Sequence, residues 1–128
     1  MFSSTKVFSS FSVKDLDEAK RFYSNTLGIT VKYDPMGFIE LHVTGNQPVI
    51  LYPKENHEPA TFTVLNFVVD DIDKAVDALM GKGITFEQYS EHNTDVKGIS
   101  RESNGPQIAW FKDPAGNILS VLQEGDGN

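Results

Sequence analysis

A block of residues that occurs twice restricts the fold of this chain more than any other feature. Each member of the second copy lies 56 residues after its counterpart: Phe11, Val13, Asp15, Asp17 and Ala19 recur as Phe67, Val69, Asp71, Asp73 and Ala75. Gly28-Ile29-Thr30 then recurs, with one residue deleted, as Gly83-Ile84-Thr85. The repeated block spans a strand, a helix and the start of another strand, so it indicates two copies of one unit.

Each copy predicts a strand, a helix and three further strands. The first helix follows a strand over residues 7–13 and is capped by Asp15, with Glu18 three residues later as in a capping box. Gly28 supplies its left-handed end. Asp71 caps the second helix in the same way. The later strand candidates have β-type composition and turn residues between them: 29–33, 38–43 and 49–52, then 84–89, 107–111 and 118–123.

Composition limits the environment and the partners. The chain has 128 residues with nine Phe, which is enough for one hydrophobic core, and it has no Cys. Residues 1–11 contain a single Lys and no apolar run, so we expect neither a secretory signal nor a membrane anchor, and a cytoplasmic location. The formal net charge of −7 repels phosphate backbones and anionic lipid. We therefore expect no nucleic-acid or membrane partner.

Several short motifs match one known family: Val13-Lys14-Asp15-Leu16, Phe22-Tyr23, Leu27-Gly28, Val69-Asp70-Asp71-Ile72 and the run from Trp110 to Asn117. With these motifs the chain resembles the vicinal oxygen chelate superfamily, which includes glyoxalase I, bleomycin-resistance proteins, fosfomycin-resistance enzymes and extradiol dioxygenases. The resemblance extends from about residue 6 to 123. It implies an α+β fold, in which two tandem βαβββ modules form a curved mixed sheet around a cleft.

The same resemblance implies how the chain is divided. It predicts one glyoxalase/bleomycin-resistance-like domain over residues 1–128, with module 1 at about 6–53 and module 2 at about 61–123. It also implies a homodimer. Residues 91–104 form a long polar stretch, which we interpret as a mobile loop over an opening.

The metal-binding positions of the superfamily hold mostly apolar residues here. By the resemblance they are Phe8, Val64, Ser120 and one of residues 49–51. A divalent ion needs about three or four His or carboxylate donors, and these side chains cannot provide them. We therefore expect no metal and no other cofactor.

The alternation of side chains along strands predicts the residues that line the cleft, because alternate residues share a face. Together with the positions of the superfamily it gives ten ligand-binding candidates: Phe8, Ser10, Glu40, His42, Val64, Asn66, Ile108, Trp110, Ser120 and Leu122. By the symmetry of the modules Glu40 corresponds to Trp110. The lining is mostly apolar, which suits an organic ligand held by stacking and burial.

Two histidines leave a catalytic alternative open. Glu40 and His42 share one strand face, so they can form an acid/base pair or ligands of a relocated metal, or simply lie on the wet side of a half-exposed strand. His92 lies in the 91–104 stretch, where it can approach the cleft. His57 is expected to be a solvated linker residue.

Three functions follow from this pattern. The first is a metal-free binding protein of the bleomycin-resistance type, which sequesters an aromatic or amphipathic small molecule in an apolar cleft. The alternative is a metal-dependent lyase, isomerase or dioxygenase that uses Glu40, His42 and His92, with Glu102 as a further donor. The third is an interaction module whose cleft is filled by its own side chains, such as Phe8, Val64 and Trp110.

Overall fold

A computed structural model describes residues 1–102 and 105–125 of the chain. The chain divides into two compact units, Met1–Pro59 and a second that begins at Ala60. Each unit contains one four-stranded sheet. No helix in the described ranges is long and apolar enough to cross a membrane.

Unit 1 has the order strand, helix, three strands. Its elements are β1 (Ser10–Val13), α1 (Leu16–Arg21), a π-helical turn (Phe22–Thr26), β2 (Thr30–Asp34), β3 (Phe38–His42) and β4 (Val49–Pro53). The strand order in the sheet is β1-β4-β3-β2. β1 pairs with β4 in parallel, and the other two ladders are antiparallel.

Unit 2 repeats this arrangement. Its elements are β5 (Thr63–Val68), α2 (Ile72–Met80), a 3₁₀ turn (Ser90–His92), β6 (Ile99–Ser100), β7 (Gln107–Lys112) and β8 (Ile118–Gln123). The strand order β5-β8-β7-β6 corresponds to the order β1-β4-β3-β2 of unit 1. Again the first and last strands of the unit are parallel. The predicted α+β fold of two tandem βαβββ modules is confirmed.

Both helices begin where their capping residues predict. The Asp15 carboxylate accepts a hydrogen bond from the backbone N–H of Glu18 at 2.9 Å, and Asp71 accepts one from Lys74 at 3.2 Å. The first helix differs from the prediction at its other end. It widens into a π turn, which Gly28 closes with a φ of +71°. Only glycine adopts this conformation without a steric cost, so the predicted stop is correct.

The core of each unit lies between its helix and one face of its sheet. In unit 1 the alternate strand residues Ile39, Leu41 and Leu51 are buried with Tyr23. In unit 2 the corresponding residues are Ala109, Phe111, Leu119 and Val121, buried with Ile72 and Val76 of α2. Side chains between these positions point to the opposite face of each sheet, which we call the helix-distal face.

Two predicted strands differ from the structure by more than one residue. β1 begins at Ser10, and residues 7–9 precede it. Residues 84–89 do not form a strand, and β6 pairs with β7 instead. The backbone N–H of Glu87 still donates to the carbonyl of Trp110 at 2.8 Å. Residues 84–89 therefore contact β7 through one backbone hydrogen bond, and β6 forms the ladder with β7 instead.

The stretch predicted as a loop over residues 91–104 contains regular structure. Its described part, 91–102, includes the end of the 3₁₀ turn and β6. Asp95 organises it by accepting hydrogen bonds from the backbone N–H groups of Lys97 at 2.9 Å and Ile99 at 3.0 Å. Arg101 adds ion pairs to Asp95 at 3.3 Å and to Asp73 at 2.7 Å. Residues 103 and 104 lie outside the described residues.

Candidate functional site

The two sheets have equivalent rows of residues across their helix-distal faces. Neighbouring strands place side by side Ser10, Ile50 and Glu40 in unit 1, and Asn66, Ser120 and Trp110 in unit 2. Glu40 and Trp110 therefore occupy equivalent positions, as the symmetry of the modules predicts. Ile50 is equivalent to Ser120, which narrows the uncertain position among residues 49–51 to Ile50.

Unit 1 has a pocket on this face, with a volume of about 240 Å³. Its lining residues are Lys6, Phe8, Glu40, Gln47, Pro48 and Ile50. Phe8 has 59% of its surface exposed, although it is an aromatic side chain. The pocket therefore combines an apolar wall with three polar side chains.

Glu40 and His42 form a pair beside this pocket. Nε2 of His42 lies 2.8 Å from Oε1 of Glu40, and the two side chains are 30% and 27% exposed. An ionised carboxylate only accepts hydrogen bonds, so Nε2 is the donor. The pair can bind a cationic group, transfer a proton or contribute two ligands to a metal ion.

Unit 2 carries an aromatic cluster at the equivalent place. The ring of Trp110 lies 5.3 Å from that of Tyr89 and 4.9 Å from that of His92, measured between centroids. Burial raises the pKa of the Tyr89 hydroxyl, and the carboxylates of Glu87 and Glu91 raise it further. Nδ1 of His92 is 4.0 Å from Oε1 of Glu102. The three rings therefore form one cluster on the helix-distal side of Trp110.

The remaining predicted residues of unit 2 surround this cluster. Ser120 is completely buried, and its hydroxyl donates to Oδ1 of Asn66 at 2.6 Å. Ile108 and Leu122 pair across β7 and β8 and are both half-buried. Val64 lies at the irregular step of β5 between Thr63 and Leu65 and is half-buried. Within unit 2, Ser120 is thus bonded to Asn66 and borders Trp110.

The positions that the resemblance assigns to a metal ion do not fit a divalent ion here. Phe8, Ile50 and Val64 offer only hydrocarbon, and the Ser120 hydroxyl is already a donor to Asn66. Hard and borderline divalent ions need several carboxylate or imidazole donors. Throughout residues 1–102 and 105–125, no group of three or more His, Asp or Glu side chains is arranged to hold a metal.

Sequence reasoning missed part of the pocket in unit 1. Lys6, Gln47 and Pro48 were not predicted as lining residues, although Pro48 and Lys6 share the strand parity of Ile50 and Phe8. The linker histidine also differs from the prediction of a solvated residue. His57 is half-buried, and its Nδ1 lies 2.7 Å from the Ser12 hydroxyl.

Comparison with known proteins agrees with this architecture. A structure of a Glyoxalase/bleomycin resistance protein/dioxygenase superfamily member from Sphaerobacter thermophilus DSM 20745 is 27% identical, with a TM-score of 0.70 over 93% of this chain and 98% of that chain. TnmS3, an antibiotic binding protein from Streptomyces sp. CB03234, is 22% identical, with a TM-score of 0.71 over 95% of this chain and 98% of that chain.

A third structure is more distant in sequence. The genomically encoded fosfomycin resistance protein FosX from Listeria monocytogenes is 12% identical, with a TM-score of 0.72 over 96% of this chain and 95% of that chain. A search of curated protein sequences finds no match. The family model described as Glyoxalase/Bleomycin resistance protein/Dioxygenase superfamily matches residues 8–121. The chain therefore belongs to the glyoxalase/bleomycin resistance protein/dioxygenase superfamily.

Proposed function

We propose that this chain is a metal-free binding protein that holds an aromatic or amphipathic small molecule. The observation that carries the proposal is the pocket of about 240 Å³ in unit 1, which lies where Phe8 and Ile50 replace metal-binding positions of the superfamily. A pocket with apolar walls and a few polar groups is the usual form of a site for a small organic ligand.

The exposed ring of Phe8 gives this pocket a physical reason to bind. Full burial of a Phe side chain is worth about 1.5–3 kcal/mol, and a planar ligand stacked on the ring gains a part of that. Pro48 and Ile50 supply further apolar surface in the same pocket. Glu40, Gln47 and Lys6 supply polar groups that can orient the ligand.

Two of the similar structures support the class of ligand. One is described as an antibiotic binding protein and another as a fosfomycin resistance protein. We propose that this chain likewise binds a small organic molecule, in the cytoplasm, as a homodimer. Residues 1–128 would then act as one functional domain. The formal net charge of −7 disfavours a nucleic acid or an anionic membrane as the partner.

A thermal-shift screen of planar compounds tests this proposal. A ligand at a hundred times its Kd stabilises the fold by about 2.7 kcal/mol, which is measurable as a rise in Tm. We expect Phe8→Ala to reduce the shift. Tyr33→Ala is a matched control, because Tyr33 has the same exposed fraction of 59% but does not line the pocket. A screen without any shift, or equal effects of the two substitutions, would contradict the proposal.

The Glu40–His42 pair supports a second candidate function. With an imidazole and a carboxylate 2.8 Å apart, unit 1 has two groups suited to metal-dependent lyase, isomerase or dioxygenase chemistry. His92 and Glu102, the further donors in this hypothesis, lie in unit 2. Elemental analysis and titration with Zn, Mn, Ni and Fe before and after His42→Ala test it. Metal binding at low micromolar concentration that this substitution abolishes would favour the enzyme.

A further inference from the structure

We infer that the pocket in unit 1 selects ligands that carry a protonated amine beside their aromatic part, and that the Glu40 carboxylate binds this amine. The inference rests on the proposed function, because it names the class of ligand for the same pocket. Three observations about Glu40 support it: its fixed position, its partly engaged carboxylate and its surroundings.

The backbone holds Glu40 in a fixed position. It lies in the middle of β3, directly opposite Lys32 of β2 and Ile50 of β4. Because both neighbouring strands pair with this residue, the direction of its Cα–Cβ bond is set by the sheet. The side chain extends to the helix-distal face, where it lines the pocket with Phe8.

The carboxylate of Glu40 is oriented by one partner and retains one oxygen for a ligand. Nε2 of His42 binds Oε1 at 2.8 Å. Within the described ranges, Oε2 of Glu40 has no hydrogen-bond partner. A carboxylate can accept about four hydrogen bonds, so this group has free capacity for an N–H donor.

The surroundings of Glu40 strengthen the attraction of a cation. Phe8, Pro48 and Ile50 line the pocket together with Glu40, and apolar neighbours that reduce the access of water increase the interaction between charges. In the described part of the chain His42 is the hydrogen-bond partner of Glu40, and neither Lys6 nor Lys32 lies within 4.0 Å of its carboxylate. Within the described ranges, a ligand amine would therefore displace no lysine contact from this carboxylate.

The probes that test this inference are 1-naphthylmethylamine, which is protonated at neutral pH, and 1-naphthalenemethanol, a neutral compound of similar shape. Calorimetric titration of the full chain should give a Kd for the amine that is about tenfold to hundredfold lower, as expected for a charge-assisted hydrogen bond. Glu40→Gln should remove this preference, because it weakens binding of the amine far more than binding of the alcohol.

Two further variants separate the role of this carboxylate from general effects. Glu55→Gln changes the net charge equally but lies outside the pocket lining, so it should preserve the preference for the amine. Glu40→Asp retains the negative charge and should preserve part of it. Far-UV circular dichroism of each variant establishes that the fold is intact.

The outcomes distinguish this inference from the proposed function. If amine and alcohol bind wild type equally, or if Glu40→Gln leaves the preference unchanged, the inference is wrong while the pocket still binds an aromatic molecule. Tighter binding of 1-naphthoate than of the amine would also overturn it, since Lys6 would then be the anchor. If none of the naphthyl compounds binds at millimolar concentration, the proposed function fails as well.

Discussion

Replacing Gly98 by Ala should destabilise unit 2 strongly, because two separate costs coincide at this position. Gly98 has a φ of +85°, in the left-handed region that L side chains rarely adopt. A Cβ at this position would lie 2.8 Å from Cβ of Phe86 and 2.9 Å from the carbonyl oxygen of Glu87. Neither contact involves the flexible end of a side chain, so the backbone itself must move.

The expected loss follows from adding these costs. A left-handed conformation costs a non-glycine residue about 1–2 kcal/mol. Forcing an extra carbon into a packed site costs roughly a further 1–3 kcal/mol. Gly98→Ala should therefore lower the free energy of unfolding by about 2–5 kcal/mol. Gly83→Ala is the matched control, because Gly83 has a φ of +93° but no atom within 4 Å of a Cβ. Its loss should be about 1–2 kcal/mol.

Urea denaturation, followed by circular dichroism and by the fluorescence of the single Trp, measures both losses. Trp110, Gly83 and Gly98 all belong to unit 2, so one signal reports on both variants. A Gly→Ala change lowers the conformational entropy of the unfolded chain by the same amount in both variants, so this effect cancels when the two losses are compared. Equal losses in the two variants would show that the close approach to Phe86 and Glu87 carries no cost.

Two further predictions concern carboxylates that organise turns. Burial raises the pKa of Asp95, but backbone N–H donors and Arg101 outweigh it, so the net pKa is below its ordinary value. The stability that this gives is present above about pH 4 and is lost as the pH falls through the lower pKa of the folded state. The urea midpoint of Asp95→Asn should therefore depend less on pH in this acidic range than the midpoint of the wild type. Asp113 is buried and accepts from Ala115 and Asn117 at 2.8–3.1 Å. Asp113→Ala should cost about 2–4 kcal/mol in urea denaturation, and Asp113→Asn less, because the amide keeps one acceptor.

Local signals in the sequence predicted most of the fold. The caps Asp15 and Asp71 act within three residues, so the sequence alone places the starts of both helices. The duplication then predicts that the two sheets share one strand order. Residues 84–89 were misjudged because their alternating pattern suits a strand, while the competing segment is fixed by the side chain of Asp95 and by Gly98. Such a competition depends on tertiary packing, which periodicity does not report.

The candidate site was predictable only in part. Strand alternation placed Glu40 and His42 on one face, and the structure pairs them at 2.8 Å. Strand register also relates Glu40 to Trp110. Gln47 was missed because it lies in the connection between β3 and β4, which alternation does not describe, whereas Lys6 shares the parity of Phe8 and was not among the predicted lining residues. Nor does alternation predict that the ring of His92, from a separate turn, lies 4.9 Å from the ring of Trp110, measured between centroids.

The parallel pairing of first and last strands bears on the ancestry of the molecule. Because β1 pairs with β4 and β5 pairs with β8, each half of the chain contains a complete sheet. Copying such a half in tandem yields the present chain without rearranging any strand. Two such copies would then be able to change independently. One now bears an acidic residue, Glu40, where its sister bears the indole of Trp110.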